Sequence, residues 1–208
     1  MMAATIFTKT HKGDVMSGKI PTRDEALTLL KAYTRTDSLI KHGLAVEAVM
    51  RHFARNRGED EEKWGIVGLV HDLDWDQFPE QHCKKTEEIL RQNHWPEEYI
   101  RAVISHGWGI CTDVEPESEM EKVLYAVDEL TGLITTAALV RPSKSVLDLE
   151  AASVKKKWKD KRFAAKIDRT IIDRGAAMIG MERGELIAEA ILGMRTIAGE
   201  LGLQGQFG

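Results

Sequence analysis

The sequence contains little cysteine and no long apolar run, and these absences exclude several classes of protein. Its 208 residues include two cysteines, Cys83 and Cys111, which build neither a disulfide framework nor a Cys-x-x-Cys motif. This usage is typical of a reducing compartment, so we expect a cytoplasmic location. The first residues lack the apolar stretch of a signal peptide. No uncharged apolar run approaches the roughly 18 residues of a membrane span, so we expect no membrane partner.

The chain also lacks an excess of basic residues. Its 29 Lys and Arg residues are outnumbered by 33 Asp and Glu residues, which gives a formal net charge of −4. Nucleic-acid-binding domains usually carry a basic face, so this balance argues against a dedicated nucleic-acid binder. The hydrophobic content of 43% and the charged content of 30% are typical of a globular protein, and we expect one domain.

Strand signals are nearly absent, and helical periodicity covers most of the chain. Thr22 and Glu25 form a Thr-x-x-Glu capping box that predicts the start of the first helix. Gly58 ends the second, which begins near Thr36. The further predicted helices cover residues 61–72, 82–94, 96–106, 118–140, 145–151, 153–165, 168–178 and 183–202. The sequence therefore predicts an all-α bundle of eight to ten helices.

The sequence predicts three segments. The first is an N-terminal arm without periodicity, residues 1–20, and the second is the helical core, residues 21–140. The third consists of C-terminal helices packed on that core, residues 141–208. The stretch 186–203 is amphipathic. It either packs internally or provides the face of a homodimer.

Four polar residues lie where the helical pattern predicts core. His42 shares an apolar stripe, His71 and Asp72 end a second apolar run, and Asp128 lies inside a third. Taken singly, His42 could be a hydrogen-bonded core histidine and Asp72 a helix cap. Asp128 could be a buried cap or half of an ion pair. A metal ion held by ligands from several helices satisfies all four together. Mixed imidazole and carboxylate ligands suit Mn, Fe, Co, Ni, Zn or Mg.

The order of these residues resembles the HD-domain superfamily of metal-dependent phosphohydrolases. Its pattern is a His, then a His-Asp pair, then a distant Asp on an all-α core; here these are His42, His71-Asp72 and Asp128, within residues 36–140. The resemblance implies that the four residues bind one divalent metal ion.

The resemblance also implies a second metal site. Larger-site relatives, including cyclic-dinucleotide phosphodiesterases and di-iron oxygenases, add two histidines between the pair and the last Asp. His82 and His106 occupy suitable places, with Asp72 as the bridge. Leu73, Asp74 and Trp75 replace the Ile-Gly-Lys that often follows in the bacterial HDIG form. The chain also lacks the His-His pair and the Gly-Tyr-Pro signature of the cyclic-dinucleotide enzymes, so it is most similar to small stand-alone bacterial HD hydrolases.

Hydrolysis of a small phosphorylated molecule, with a nucleotide as one candidate, follows from the resemblance. A metal-bound water is the nucleophile in such chemistry. The candidate catalytic residues are Asp72, Asp74 and Asp76; Asp74 or Asp76 acts as general base or orients the nucleophile, unless both are solvated turn carboxylates. Arg141 and Lys144 are the candidate substrate-binding residues, through phosphate.

Two other functions stay open. One is a mixed-valent di-iron oxygenase that uses His82 and His106, which requires two irons per chain and consumes oxygen. The other is a non-catalytic metal-binding or regulatory module whose C-terminal helices bind a partner. Tight metal binding without phosphoester cleavage would favour the module.

Overall fold

Helices account for the regular structure of the part of the chain that the structure describes. The computed structural model describes residues 18–205. Its α-helices are α1 (Arg23–Tyr33), α2 (Asp37–Arg57), α3 (Glu61–Val70), α4 (Lys84–Gln92), α5 (Glu97–Ser105), α6 (Glu119–Leu139), α7 (Ala151–Trp158), α8 (Arg169–Met178) and α9 (Arg183–Arg195). Within the described residues there is no sheet, so the all-α, single-domain prediction is confirmed. Most of the predicted N-terminal arm lies outside the described residues.

Local capping signals explain where α1, α3 and α6 begin and where α2 ends. The predicted capping box of Thr22 and Glu25 is present at the start of α1. Gly58 ends α2 in the left-handed region, at φ 70°, where glycine avoids the steric penalty of a Cβ. The Asp60 carboxylate accepts backbone N–H groups at the start of α3, and a second capping box begins α6 at Ser118.

The predicted C-terminal helices needed correction. Residues 145–151 do not form a helix up to Ala151, because the Ser145 hydroxyl accepts the Leu147 N–H and the Val146 N–H donates to the Leu203 carbonyl. The helix predicted over 153–165 is α7, which begins earlier and ends at Trp158. The last predicted helix stops at Arg195, and turns follow it.

Close helix packing brings the predicted metal ligands together. The helix α2 packs against α3, α6 and α9, and α6 packs against α8. A Cβ at Gly43 would lie 2.8 Å from the Leu69 carbonyl oxygen, and a Cβ at Gly68 would lie 3.2 Å from the Glu47 nitrogen. Glycine at both positions therefore lets α2 and α3 approach closely beside His42 and His71.

The amphipathic C-terminal stretch packs internally. Its buried residues include Leu186, Ile187, Ala190, Ile191, Met194, Ala198, Leu201 and Leu203. They belong to the same apolar cluster as α2 and α6. A homodimer stays a prediction that this packing does not require. Among the described residues, no helix combines the length and apolar character needed to cross a membrane.

Candidate metal centre

The first ligand set comes from three places in the fold. His42 lies in α2, His71 and Asp72 directly follow α3, and Asp128 lies in α6. The His42 Nε2 atom is 3.1 Å from His71 Nε2 and 3.0 Å from Asp128 Oδ1, and His71 Nε2 is 3.2 Å from the same oxygen. One ligand atom from each of the four residues lies within 4.8 Å of all the others. The structure therefore brings the four predicted residues to one point.

A second ligand set shares Asp72 with the first. Asp72 Oδ2 lies 3.6 Å from His42 Nε2 and 3.5 Å from His71 Nε2. Asp72 Oδ1 instead lies 3.6 Å from His82 Nε2 and 3.5 Å from His106 Nε2, and these two nitrogens are 3.1 Å apart. The two oxygens of one carboxylate thus face separate sets, which is the placement that a bridging ligand needs.

Hydrogen bonds fix the orientation of three histidine rings. His71 Nδ1 donates to the Gly68 carbonyl at 2.8 Å, His106 Nδ1 donates to the Val103 carbonyl, and His82 Nδ1 donates to Asp74 Oδ1 at 2.8 Å. Because a carbonyl or carboxylate oxygen only accepts, each Nδ1 carries a proton. The Nε2 atom of each neutral ring then presents a lone pair to the centre.

The His42 ring is oriented in the same way, through the hydroxyl of Thr131. The Thr131 hydroxyl donates to the Asp128 carbonyl at 2.9 Å, so its oxygen accepts from His42 Nδ1 at 3.3 Å. All four histidines therefore point an unprotonated Nε2 inward when neutral. Such outer-sphere bonds are characteristic of metal-ligating histidines.

The converging donor atoms fit divalent metal ions. Neighbouring Nε2 atoms lie only 3.1 Å apart in each set, and their lone pairs repel unless a cation or a proton lies between them. No Lys or Arg of the described residues pairs with Asp72 or Asp128. Imidazole and carboxylate ligands suit Mn, Fe, Co, Ni and Zn. One ion could be held by His42, His71 and Asp128, and a second by His82 and His106. Asp72 could contribute to both sites.

The same convergence shifts the proton affinities. Burial lowers the pKa of His71, but the Asp72 and Asp128 carboxylates raise it more, so its pKa lies above the ordinary value. The pKa of His106 is raised in the same way, chiefly by Asp72 against burial. Burial raises the pKa of Asp128, but His71 and His42 outweigh it and hold that pKa well below its usual range. The metal-free centre is therefore poised to exchange protons for cations.

Asp74 lies behind the ligands. It is fully buried. Oδ1 accepts from His82, and Oδ2 accepts the Thr86 N–H at 2.8 Å near the start of α4. Both oxygens are thus engaged away from a nucleophile, and the residue positions His82. It is not a solvated turn carboxylate, and its role as a general base stays a prediction.

Asp76 has another structural role. Its Oδ2 atom accepts the N–H groups of Arg35 and Thr36 at 2.7 and 3.0 Å, and Oδ1 accepts the Thr36 hydroxyl at 2.8 Å. Thr36 is the N-cap of α2, so Asp76 caps the helix that carries His42. These bonds also lower the pKa of Asp76. The structure does not turn this carboxylate toward the ligand atoms.

Arg141 and Lys144 are not brought to the centre. Asp128 precedes the end of α6 at Leu139 by three helical turns, about 17 Å along the axis, and both residues lie beyond that end. The Arg141 guanidinium donates to the Asp148 carboxylate at 2.8 Å. Lys144 is exposed. A phosphate at the metal ligands is therefore out of their reach.

Other residues besides the predicted ligands lie near the centre. Burial and the neighbouring Asp128 raise the pKa of Glu129 to about 7, yet its position resembles any charged helix residue. Trp75 is 43% exposed, and its ring meets the His82 ring edge-on with centroids 4.8 Å apart. Cys83 and Cys111 lie beside His82, close enough for the three to form another potential ligand cluster. Of these residues, Glu129 and Cys111 come close to the centre through the tertiary fold.

The helices and the two sets of histidine and carboxylate ligands show the class of this protein. It is an all-α protein with potential metal-binding sites. The family model described as HD domain matches residues 39–170, more than half of the 208 residues. The chain therefore belongs to the HD-domain family, and the predicted resemblance is confirmed. This family is of metal-dependent hydrolase type. The match continues past residue 140 through α7 to the start of α8. Comparisons with curated proteins and with solved structures gave no match.

Proposed function

We propose that this protein is a metal-dependent phosphohydrolase that cleaves a small phosphorylated molecule at a two-metal centre. The observation that carries the proposal is the Asp72 carboxylate, whose two oxygens face two ligand sets. Paired metal sites are used by many phosphatases and nucleases. When bound, the ions lower the pKa of a coordinated water and polarise a phosphoryl oxygen.

The exposure of the ligand side chains indicates where the substrate binds. His71 and His106 are buried, whereas the side chains of His42, Asp72 and Asp128 are about one-fifth exposed. The substrate therefore approaches from the side of these three residues, and the buried rings form the water-excluded floor. Asp74 holds the His82 ring in its ligating orientation.

Trp75 supports a nucleotide as the substrate. Its indole is exposed and lies against the ring of His82. An exposed indole beside a phosphate site offers a stacking surface for a base, and such stacking contributes about 1–3 kcal/mol per base. Trp75 also stands where the HDIG form often has a lysine, so the lysine invoked for substrate positioning in the oxygenases is replaced by an aromatic group. This difference favours hydrolysis over the oxygenase.

A phosphate-release assay tests the proposal. Protein prepared without oxygen and chelator is loaded separately with Mn²⁺, Fe²⁺ or Co²⁺ and offered nucleotides and other phosphomonoesters. We expect metal-dependent phosphate release that is abolished in Asp72→Ala and retained in Asp148→Asn, which changes an exposed carboxylate paired with Arg141. Release that persists in Asp72→Ala contradicts the proposal. Oxygen consumption by a form with two irons, without phosphate release, assigns the centre to the oxygenase class.

A further inference from the structure

Arg174 is a cation of α8 that has no carboxylate partner among residues 18–205. Its guanidinium carbon lies 5.3 Å from the centre of the Trp108 ring, and its Nη1 atom donates to the Tyr125 hydroxyl at 3.3 Å. The side chain is exposed. The Asp168 carboxylate, which begins α8, is occupied by the N–H and hydroxyl of Thr170. Arg174 is therefore held by an aromatic ring and a hydroxyl, with its charge open to a ligand.

Both groups that hold Arg174 belong to segments that carry ligands of the metal centre. Trp108 follows His106 by two residues. Tyr125 precedes Asp128 by three residues in α6, and residues at this spacing are neighbours on a helix surface, with Cβ atoms about 5–6 Å apart. Arg174 thus lies beside ligand-bearing segments from two different parts of the chain.

The packing of α8 fixes this location. A Cβ at Gly175 would lie only 2.4 Å from the Ala126 Cα atom, so glycine lets α8 rest directly on α6. Ala126 precedes Asp128 by two residues. Arg174 directly precedes Gly175, so it lies near the stretch of α6 that carries Asp128. The contact between α8 and α6 therefore fixes its position.

The chemistry of this group suits a phosphate. A guanidinium keeps its charge at all physiological pH values and offers a planar fork of donors that matches phosphate oxygens. Stacking on Trp108 orders the side chain in advance, which reduces the entropy lost when an anion binds.

We propose that Arg174, supported by Trp108 and Tyr125, forms an anion subsite at the rim of the metal centre that binds a phosphate oxygen of the substrate. The inference rests on the proposed function, which it deepens by requiring an anionic phosphate ester as substrate. It gives Arg174 the role that the sequence suggested for Arg141 and Lys144. Neutral substrates without a phosphate would gain nothing from this group.

Phosphate binding and turnover test the subsite separately. Inorganic phosphate is titrated calorimetrically into Mn²⁺-loaded wild type, Arg174→Gln and Arg174→Lys, and KM and kcat are measured with the best phosphoester. Because a hydrogen bond to a charged group is lost, Arg174→Gln should weaken phosphate binding about tenfold or more and raise KM, whereas Arg174→Lys should lose less. Arg55→Gln is the control, since Arg55 lies about 20 Å from His42 along α2 and pairs with Glu61.

The outcomes separate the two proposals. Phosphate binding that depends on Arg174 without turnover of any phosphoester supports the subsite and overturns the hydrolase. Turnover that depends on Asp72 while Arg174→Gln keeps the wild-type phosphate affinity and KM supports the hydrolase and overturns the subsite. Failure of the metal-loaded wild type to bind phosphate also overturns the subsite. Thermal unfolding shows whether each variant is folded. If Arg174→Gln does not fold, Arg174→Lys still tests the subsite, because lysine keeps an aliphatic stem and a positive charge.

Discussion

Replacing Asp74 by Asn tests whether this buried carboxylate positions His82 or acts as a base. The two carboxylate oxygens accept from His82 Nδ1 and from the Thr86 N–H, each at 2.8 Å. An amide has one oxygen, so Asn serves one donor and turns its NH₂ group toward the other. The unsatisfied donor costs about 1–3 kcal/mol. Loss of such an outer partner weakens metal binding about 10- to 100-fold, or about 1.4–2.8 kcal/mol.

The assay is a calorimetric Mn²⁺ titration of metal-free wild type and Asp74→Asn. We expect one site to keep its affinity and the other to weaken, because only the second ligand set contains His82. With both sites filled by excess metal, turnover should recover to within about tenfold of wild type, since a positioning residue acts through metal occupancy.

Glu121→Gln is the matched control. Glu121 is a buried carboxylate that accepts the backbone N–H groups of Glu117 and Ser118, and it is outside both ligand sets. It should lower stability without changing either metal affinity. Equal weakening of both sites in Asp74→Asn would refute the positioning role, as would loss of turnover with both sites filled.

Three further predictions concern the cap, the protons and the thiol. Asp76→Ala should lower the free energy of unfolding in urea by about 0.5–2 kcal/mol through loss of the α2 cap, with metal content unchanged; a loss of metal would instead place Asp76 at the centre. The pKa values of metal-free His71 and His106 are raised, and metal requires neutral rings. Mn²⁺ affinity should therefore fall as pH is lowered, starting above the ordinary histidine pKa of about 6.5; a fall confined to lower pH in calorimetry counts against these shifts. The neighbouring Cys83 thiol, opposed by burial, lowers the pKa of Cys111 to about 7. Its alkylation by iodoacetamide in metal-free protein should therefore reach half its maximal rate near pH 7, and a midpoint above about 8.5 would be inconsistent with it.

The ligand-bearing helices and the first ligand set were predictable because their signals are local. Apolar spacing placed His42 and Asp128 on inward faces, and Gly58 ended α2 where predicted. Polar residues at core positions need a common partner, so the sequence pattern alone groups His42, His71, Asp72 and Asp128. The structure brings them together as that grouping required.

The surroundings of the site could not be predicted, because they depend on contacts between distant segments. Asp76 bonds to Arg35, 41 residues earlier, so its capping role is invisible in the local pattern. Arg174 meets Tyr125, 49 residues away, because Gly175 lets α8 lie on α6. Arg141 follows the helix of Asp128 closely in sequence, yet the length of that helix carries it away from the centre.

The central claim is a two-metal centre bridged by Asp72, and elemental analysis of protein purified without oxygen or chelator tests it most directly. Two ligand sets predict two metal ions per chain in the fully loaded wild type. They predict one per chain in His82→Ala, which removes a ligand of the second set only, and none retained in Asp72→Ala. A single ion per chain in the fully loaded wild type that persists in Asp72→Ala would contradict the account.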